Sequence, residues 1–357
     1  MPEIKLPFKH PIVDSYPNYA AVVGIVGAHT DQCLPWIYSY LEQLMTNKSP
    51  QLPNWVDYCA PISYLSFPWI DFCHIKRDCI ENTESAIISL LQKQIENEIY
   101  PYLLADRFYL PYQTNSHDKN HYVHEILITG YNSASSVFYI YDHLEGKYGK
   151  YGEAVCSFCD IAKAYIRAHT SGTFDWLNGV VGLFYRTEYD FGCRRAKKDL
   201  QYEINIRMFK DLLADYLSSQ SSNDRWCYPL SWMRDDELLF GLDVYDGLSG
   251  HAQRASEVSG EAVSEMEISG FYCLLEHKKL MRERLINFSG KRIIRNADGL
   301  IQENRSILRI AELLLIHVLK FNFSRQKDNS DHILELIMTL KKEDTIFSQH
   351  LYDAIDI

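Results

Sequence analysis

Cys33, His124 and Asp142 are the residues whose types and spacing could carry nucleophilic chemistry. In HTDQCLPWIYSYLEQL (residues 29–44), a polar tetrad precedes Cys33 and helical spacing follows it. Pro35 belongs in a first helical turn, so Cys33 is expected at or near a helix start. The unpaired N–H groups and macrodipole there favour a thiolate. Taken alone, the same cysteine is more simply a small apolar residue packed at a helix end. His124 opens the run HYVHEILITGYN, and Asp142 ends SVFYIYD. NSASS between them supplies turn residues, so the two runs predict a β-hairpin. With the turn near 133–135, His124 is expected directly opposite Asp142, about 5 Å away at Cβ. A carboxylate so placed fixes the imidazole tautomer. The three residues together predict base-activated thiol chemistry.

Other residues offer rival readings. His117, His121 and His124 lie within eight residues, with Asp118 and Asp142 nearby, and could bind a metal. HxxxHxxH matches no established metal spacing, however, and QTNSHDKN reads as a solvated loop, so the expectation is no metal. CSFC (156–159) has redox or zinc spacing without a second CxxC, and two buried helical cysteines are the simpler account. Cys59, Cys73 and Cys79 are alternative nucleophiles in an aromatic stretch where burial is the plain expectation. Tyr109, Tyr112, Tyr131 and Tyr148 cluster in sequence around the proposed site, as pocket lining or as core.

The elements that must position these residues divide the chain. Residues 1–175 read as an α+β unit, with helices at about 34–46, over TESAIISLLQKQIENEIYPYLL and over CSFCDIAKAYIRAH. Residues 176–357 read as mainly helical, with INIRMFKDLLADYL, EAVSEMEISGFYCLLEHKKLMRERLINF and SILRIAELLLIHVLKFNF at three-to-four spacing. SSQSSNDR (218–225) and the glycine-containing DVYDGLSGH (243–251) are expected to interrupt those helices.

Composition narrows the function classes. The 357 residues carry a net charge of −11, and the densest basic run is CRRAKK at 193–198. Nucleic-acid binding rests on phosphate neutralisation and is disfavoured. No apolar run is long enough to span a bilayer, and the first residues lack a secretory pattern. Nine scattered cysteines do not form a disulfide framework. A cytoplasmic protein with reduced thiols is expected.

DQCLPWIYSYL, DRFYLPY before an HxxH segment, HEILITGY and YIYD resemble the butirosin-biosynthesis acyltransferase family. That family belongs among papain-like cysteine peptidase homologues, and the amide-forming enzyme of polythioamide (closthioamide) biosynthesis is of similar type. The resemblance covers about 20–170. It implies a papain-like fold with an antiparallel sheet and a nucleophile helix, followed by a helical region. It also implies an amide-forming acyl transfer, with Cys33 as nucleophile, His124 as base and Asp142 as orienting acid. The acyl group would arrive on the phosphopantetheine arm of an acyl or peptidyl carrier protein and leave on a small amine or diamine. No other cofactor and no ATP are implied, and a homodimer belongs among the expected assemblies. The papain pattern places a glutamine several residues before the cysteine, but Gly27 stands six positions before Cys33. Gln32, His29 or backbone N–H groups are the substitutes for the oxyanion donor. A peptidase or amidase with the same triad, and a non-catalytic binding module, are the competing classes.

Overall fold

In the computed structural model, the described residues are 3–49, 51–52, 55–145, 149–169, 176–185, 202–226, 234–257, 265–324 and 327–355. In chain order the elements begin with β1 (Glu3–Lys5), α1 (Pro17–Gly27), α2 (Cys33–Tyr40), β2 (Leu44–Asn47), β3 (Val56–Tyr58) and β4 (Ile70–Lys76). Next come α3 (Glu84–Glu96), β5 (Tyr100–Asp106), β6 (Val123–Asn132), β7 (Val137–Leu144), β8 (Lys150–Ser157), α4 (Phe158–Ala168) and β9 (Gly179–Tyr185). The last are α5 (Ile206–Ser218), β10 (Leu238–Phe240), α6 (Val244–Glu257), α7 (Ser269–Gly290), α8 (Ala297–Ser324) and α9 (Lys327–Ala354).

These elements form two compact units: Met1–Cys33 with Ile62–Gln201, and Leu34–Pro61 with Tyr202–Ile357. The division expected at 175 is contiguous, whereas these units interleave, because 34–61 belongs with the later half of the chain. The fold class is α+β with antiparallel sheets.

The first unit holds an antiparallel sheet in the order β4-β9-β5-β6-β7-β8, and β1 pairs with β6. β5 is buried along its whole length, as a central strand covered on both faces must be. α1 buries residues on every side, so it reads as an apolar run without a polar face. Thr83 caps α3, its side chain accepting from the Ala86 N–H at 3.3 Å. The helix ends at Glu96, and the expected helix over 83–104 is half right. Asn97 and Glu98 turn the chain, and YPYLLAD then becomes β5. The apolar spacing of three and four had run on into a buried strand, which periodicity alone does not separate from a helix.

The second unit pairs β10, β2 and β3 with α5 to α9. The helix expected over 34–46 stops at Tyr40, and Leu44–Asn47 becomes β2. DVYDGLSGH, expected to break a helix, lies largely within α6. A Cβ at Gly247 would lie 2.7 Å from Thr46 Cγ2, so this glycine admits a close approach of α6 to β2 rather than ending the helix. Among the described residues no helix is long and apolar enough to cross a membrane.

Candidate functional site

Strand pairing brings His124 and Asp142 together, although not in the expected register. Leu127 pairs with Tyr141 and Ile128 with Ile140, and the register shifts between Ile128 and Gly130. Continuing that pairing sets Asp142 level with Ile126, two residues beyond His124. The cause is the loop together with the bulge: the loop pairs Asn132 with Val137, a slip of three, and the shift between Ile128 and Gly130 takes one back. Asn132 Oδ1 accepts from Ala134 N at 2.9 Å and Ser135 N at 3.2 Å, and Ser136 turns through φ +54. A slip of two keeps both side chains on one face, because side chains alternate with period two. His124 Nδ1 is therefore still 3.7 Å from Asp142 Oδ1.

A third residue stands between them. Arg107 follows β5, whose Ala105 pairs with His124. Its guanidinium NH2 donates to Asp142 Oδ1 at 3.0 Å, to His124 Nδ1 at 3.1 Å and to the His143 carbonyl at 3.2 Å. A guanidinium can only donate. The acceptors available to an Nδ1 proton are farther: Glu125 O at 3.3 Å and Asp142 Oδ1 at 3.7 Å. An Arg107 hydrogen bond to Nδ1 makes that nitrogen the acceptor and puts the imidazole proton on Nε2.

Asp142 is fully buried and fully engaged. Besides Arg107, its Oδ1 accepts from His143 N at 2.6 Å, and Oδ2 accepts from Gln113 Nε2 at 2.5 Å and Tyr112 OH at 3.2 Å. Burial alone would raise its pKa, but the Arg107 ion pair and His124 outweigh it and bring it down to about 2. His143 donates from Nε2 to the Asp14 carbonyl at 2.7 Å, which leaves its buried Nδ1 with no partner. Burial, and then His124, push its pKa down to about 4 against the opposing pull of Asp142.

The helix start beside this cluster is that of α1, not that of α2. Asp14, which receives the His143 hydrogen bond, lies three residues before Pro17, and Ser15 between them is buried. Cys33 is indeed the first residue of α2, but it is 1% exposed. Burial pushes its thiol up to about 12, overriding the helix-end effect that had predicted a thiolate. Its Sγ is 3.9 Å from the Thr30 carbonyl, and its electrostatic neighbours include Tyr185. Leu183 pairs with Tyr100 and His124 with Ala105. Tyr185 and His124 therefore stand at opposite ends of β5, roughly 20 Å apart at 3.3 Å per residue.

The other expected site residues scatter. Tyr112 reaches Asp142. Tyr109 packs edge-on against Phe108 with Lys163 above its ring. Tyr131 is core at the far end of β6, donating to Glu96 at 2.8 Å. Tyr148 lies outside the described residues, as does the basic run at 193–198. His29 stacks on Tyr185 with centroids 4.4 Å apart, and the Gln32 N–H is bonded to Thr30 Oγ1, so both belong to the Cys33 end. His121 bonds Asp106 at 2.7 Å and His117 neighbours Asp118, so these two do not join His124 in a metal set. His124, Asp142 and His143 do converge, with ligand atoms within 4.8 Å of one another. The Arg107 guanidinium, paired with Asp142 at 3.0 Å, already supplies a positive charge in that space, so the donor set does not fit a cation. The cysteines of CSFC were expected on one helix. Cys156 is instead buried on β8, and Cys159 is exposed on α4. Cys59 is buried and pushed up to about 12.

Sequence reasoning missed Arg107, Gln113 and His143. DRFYLPY and the DH pair at 142–143 were the available signals. An arginine and a glutamine between an expected helix and a strand become informative only once the pairing of β5 with β6 is known.

Fold and cluster together define the class: an α+β protein with a half-buried histidine on a buried aspartate–arginine pair at one end of an antiparallel sheet. A scan against protein-family models finds no match, and a search of curated proteins finds none either.

Proposed function

We propose that the protein transfers an acyl group from a carrier-protein thioester to a small amine, at the His124–Asp142–Arg107 cluster and without ATP. The observation that carries this reading is the placement of His124 against Asp142 on paired strands, which accords with the resemblance to papain-like acyltransferases. Cys33 lies at the other end of the sheet, so the reading takes the direct route. The amine nitrogen attacks the thioester carbonyl, a C–N bond forms and the C–S bond breaks. The departing phosphopantetheine thiolate takes the proton from the new ammonium-like nitrogen. The Nε2–H of His124 donates to the carbonyl oxygen as it gains charge. Arg107 and Asp142 act as positioning residues that hold the ring.

The test mixes the protein with an acyl-pantetheine thioester and a panel of amines. Amide formation that survives Cys33→Ala and is lost in His124→Gln supports the direct route. An acyl adduct on the intact protein that vanishes in Cys33→Ala would restore the thiol route. Free acid as sole product would replace transfer by hydrolysis, and absence of turnover would leave a binding module.

A further inference from the structure

The Cys33 end of the first unit carries an open pocket of about 350 Å³, within the range of small-ligand sites. Its walls include Phe184, Tyr100 and the stacked pair His29–Tyr185, whose planes lie within 7° of each other. Tyr100 OH donates to the Pro7 carbonyl at 2.5 Å, which fixes that ring. Burial lowers the His29 pKa against the opposing influence of Glu98, so the stacked ring adds no positive charge at neutral pH.

Glu98 is the one acidic side chain among the described residues that line the pocket. α3 ends here, with the Asn97 and Ile99 N–H groups both on the Gln94 carbonyl and the Glu98 N–H on the Ile95 carbonyl. Glu98 itself adopts φ +59, the left-handed conformation that ends helices and is uncommon for a residue with a Cβ. That turn sets a carboxylate on the carbonyl end of a helix, the end that favours cations. The Glu98 side chain is exposed and makes no ion pair with any described residue. Lys9 is paired with Asp31 at 3.0 Å.

We propose that this pocket binds an organic ammonium carried on a flat apolar body. The ammonium would sit at Glu98 and the end of α3, and the body against the ring faces, where aromatic stacking adds to burial. The inference does not depend on the acyl-transfer reading, because it concerns the opposite end of the sheet and is read by binding alone.

Phenethylamine and its neutral counterpart 2-phenylethanol are the probes, titrated into the full chain by calorimetry and by two-dimensional NMR. The amine is expected to bind about tenfold more tightly than the alcohol, a difference of about 1.4 kcal/mol. Glu98→Gln, an exposed substitution, is expected to bring the amine down to the affinity of the alcohol while leaving the alcohol unchanged. Tyr185→Leu is expected to weaken both, and shift changes are expected at His29 and Tyr185. Equal affinity for the two probes, an unaltered amine affinity in Glu98→Gln, or no saturable binding would overturn the proposal.

Discussion

Arg107 donates to Nδ1 of His124 at 3.1 Å, occupying the imidazole nitrogen that a catalytic triad reserves for its carboxylate. The arginine reaches both members of the expected pair because β5 delivers it beside His124 just as β7 delivers Asp142.

The first prediction concerns the tautomer. Nitrogen-resolved NMR of His124 is expected to find the proton on Nε2 at neutral pH. In Arg107→Met the obligatory donor is gone, and the proton is expected to move to Nδ1, facing Asp142. A wild-type ring protonated on Nδ1 would reverse the assigned role of His124 from donor to base.

The same substitution bears on stability. Asp142 is fully buried and Arg107 nearly so, and removing one partner of a buried pair costs about 3–5 kcal/mol. Denaturant unfolding of Arg107→Met should show a loss of that order, whereas a loss under about 1 kcal/mol would mean that Gln113 and Tyr112 suffice for the carboxylate.

Acid should destabilise the first unit in two windows. His143 has its pKa lowered from 6.5 to about 4, so the unfolded chain takes up the proton first. Its contribution is full above pH 6.5 and falls by at most about 3 kcal/mol as pH drops toward 4. Asp142 is lowered from 3.8 to about 2. Its contribution, about 2 kcal/mol, is present above its unfolded pKa and is lost as pH falls from 3.8 through 2. Unfolding free energies measured across pH 7 to 2 should follow this course, and His143→Gln should flatten mainly the upper window.

Alkylation should rank the thiols by exposure. Cys79 and Cys159 are exposed, while Cys33, Cys59 and Cys156 are buried and pushed up to about 12. Peptide mapping after brief iodoacetamide treatment at pH 8 should find Cys79 and Cys159 modified and Cys33 untouched. Rapid labelling of Cys33 would reinstate it as a candidate nucleophile.

In the second unit, Lys278 donates to Asp344 at 2.6 Å, and Tyr216 and Tyr245 donate to the same oxygen. Lys278→Ala strands a buried carboxylate and should cost about 3–5 kcal/mol. Lys278→Met combined with Asp344→Leu should recover most of that in a double-mutant cycle. An additive cycle would show that the two charges do not act as a pair.

The sequence made some of this legible, and the reasons are physical. The 123–144 hairpin was readable because alternation is local, and His124 shared a face with Asp142 because parity survives a slip of two. The slip itself came from the turn that Asn132 organises and from the bulge between Ile128 and Gly130 that takes one residue back, neither of which strand patterns encode. Cys33 was placed correctly on a helix start, yet its burial and its distance from His124 depend on where α1 and β9 run. Arg107 was invisible for the same reason, since its meaning lies in which strands become neighbours. The α3–β5 boundary was misread because a buried strand is as apolar as a helix face.

The interleaving of the two units has a consequence for synthesis. β2, within residues 34–61, pairs with β10 at Leu238–Phe240, so an early segment must wait for a partner made nearly two hundred residues later. At a translation rate of about 5–20 residues per second, that wait is roughly ten to forty seconds. Until then β2, which β3 can pair on one side at once, keeps its other edge open on the nascent chain, a length of backbone that a chaperone would shield and that a truncation before β10 would leave exposed for good.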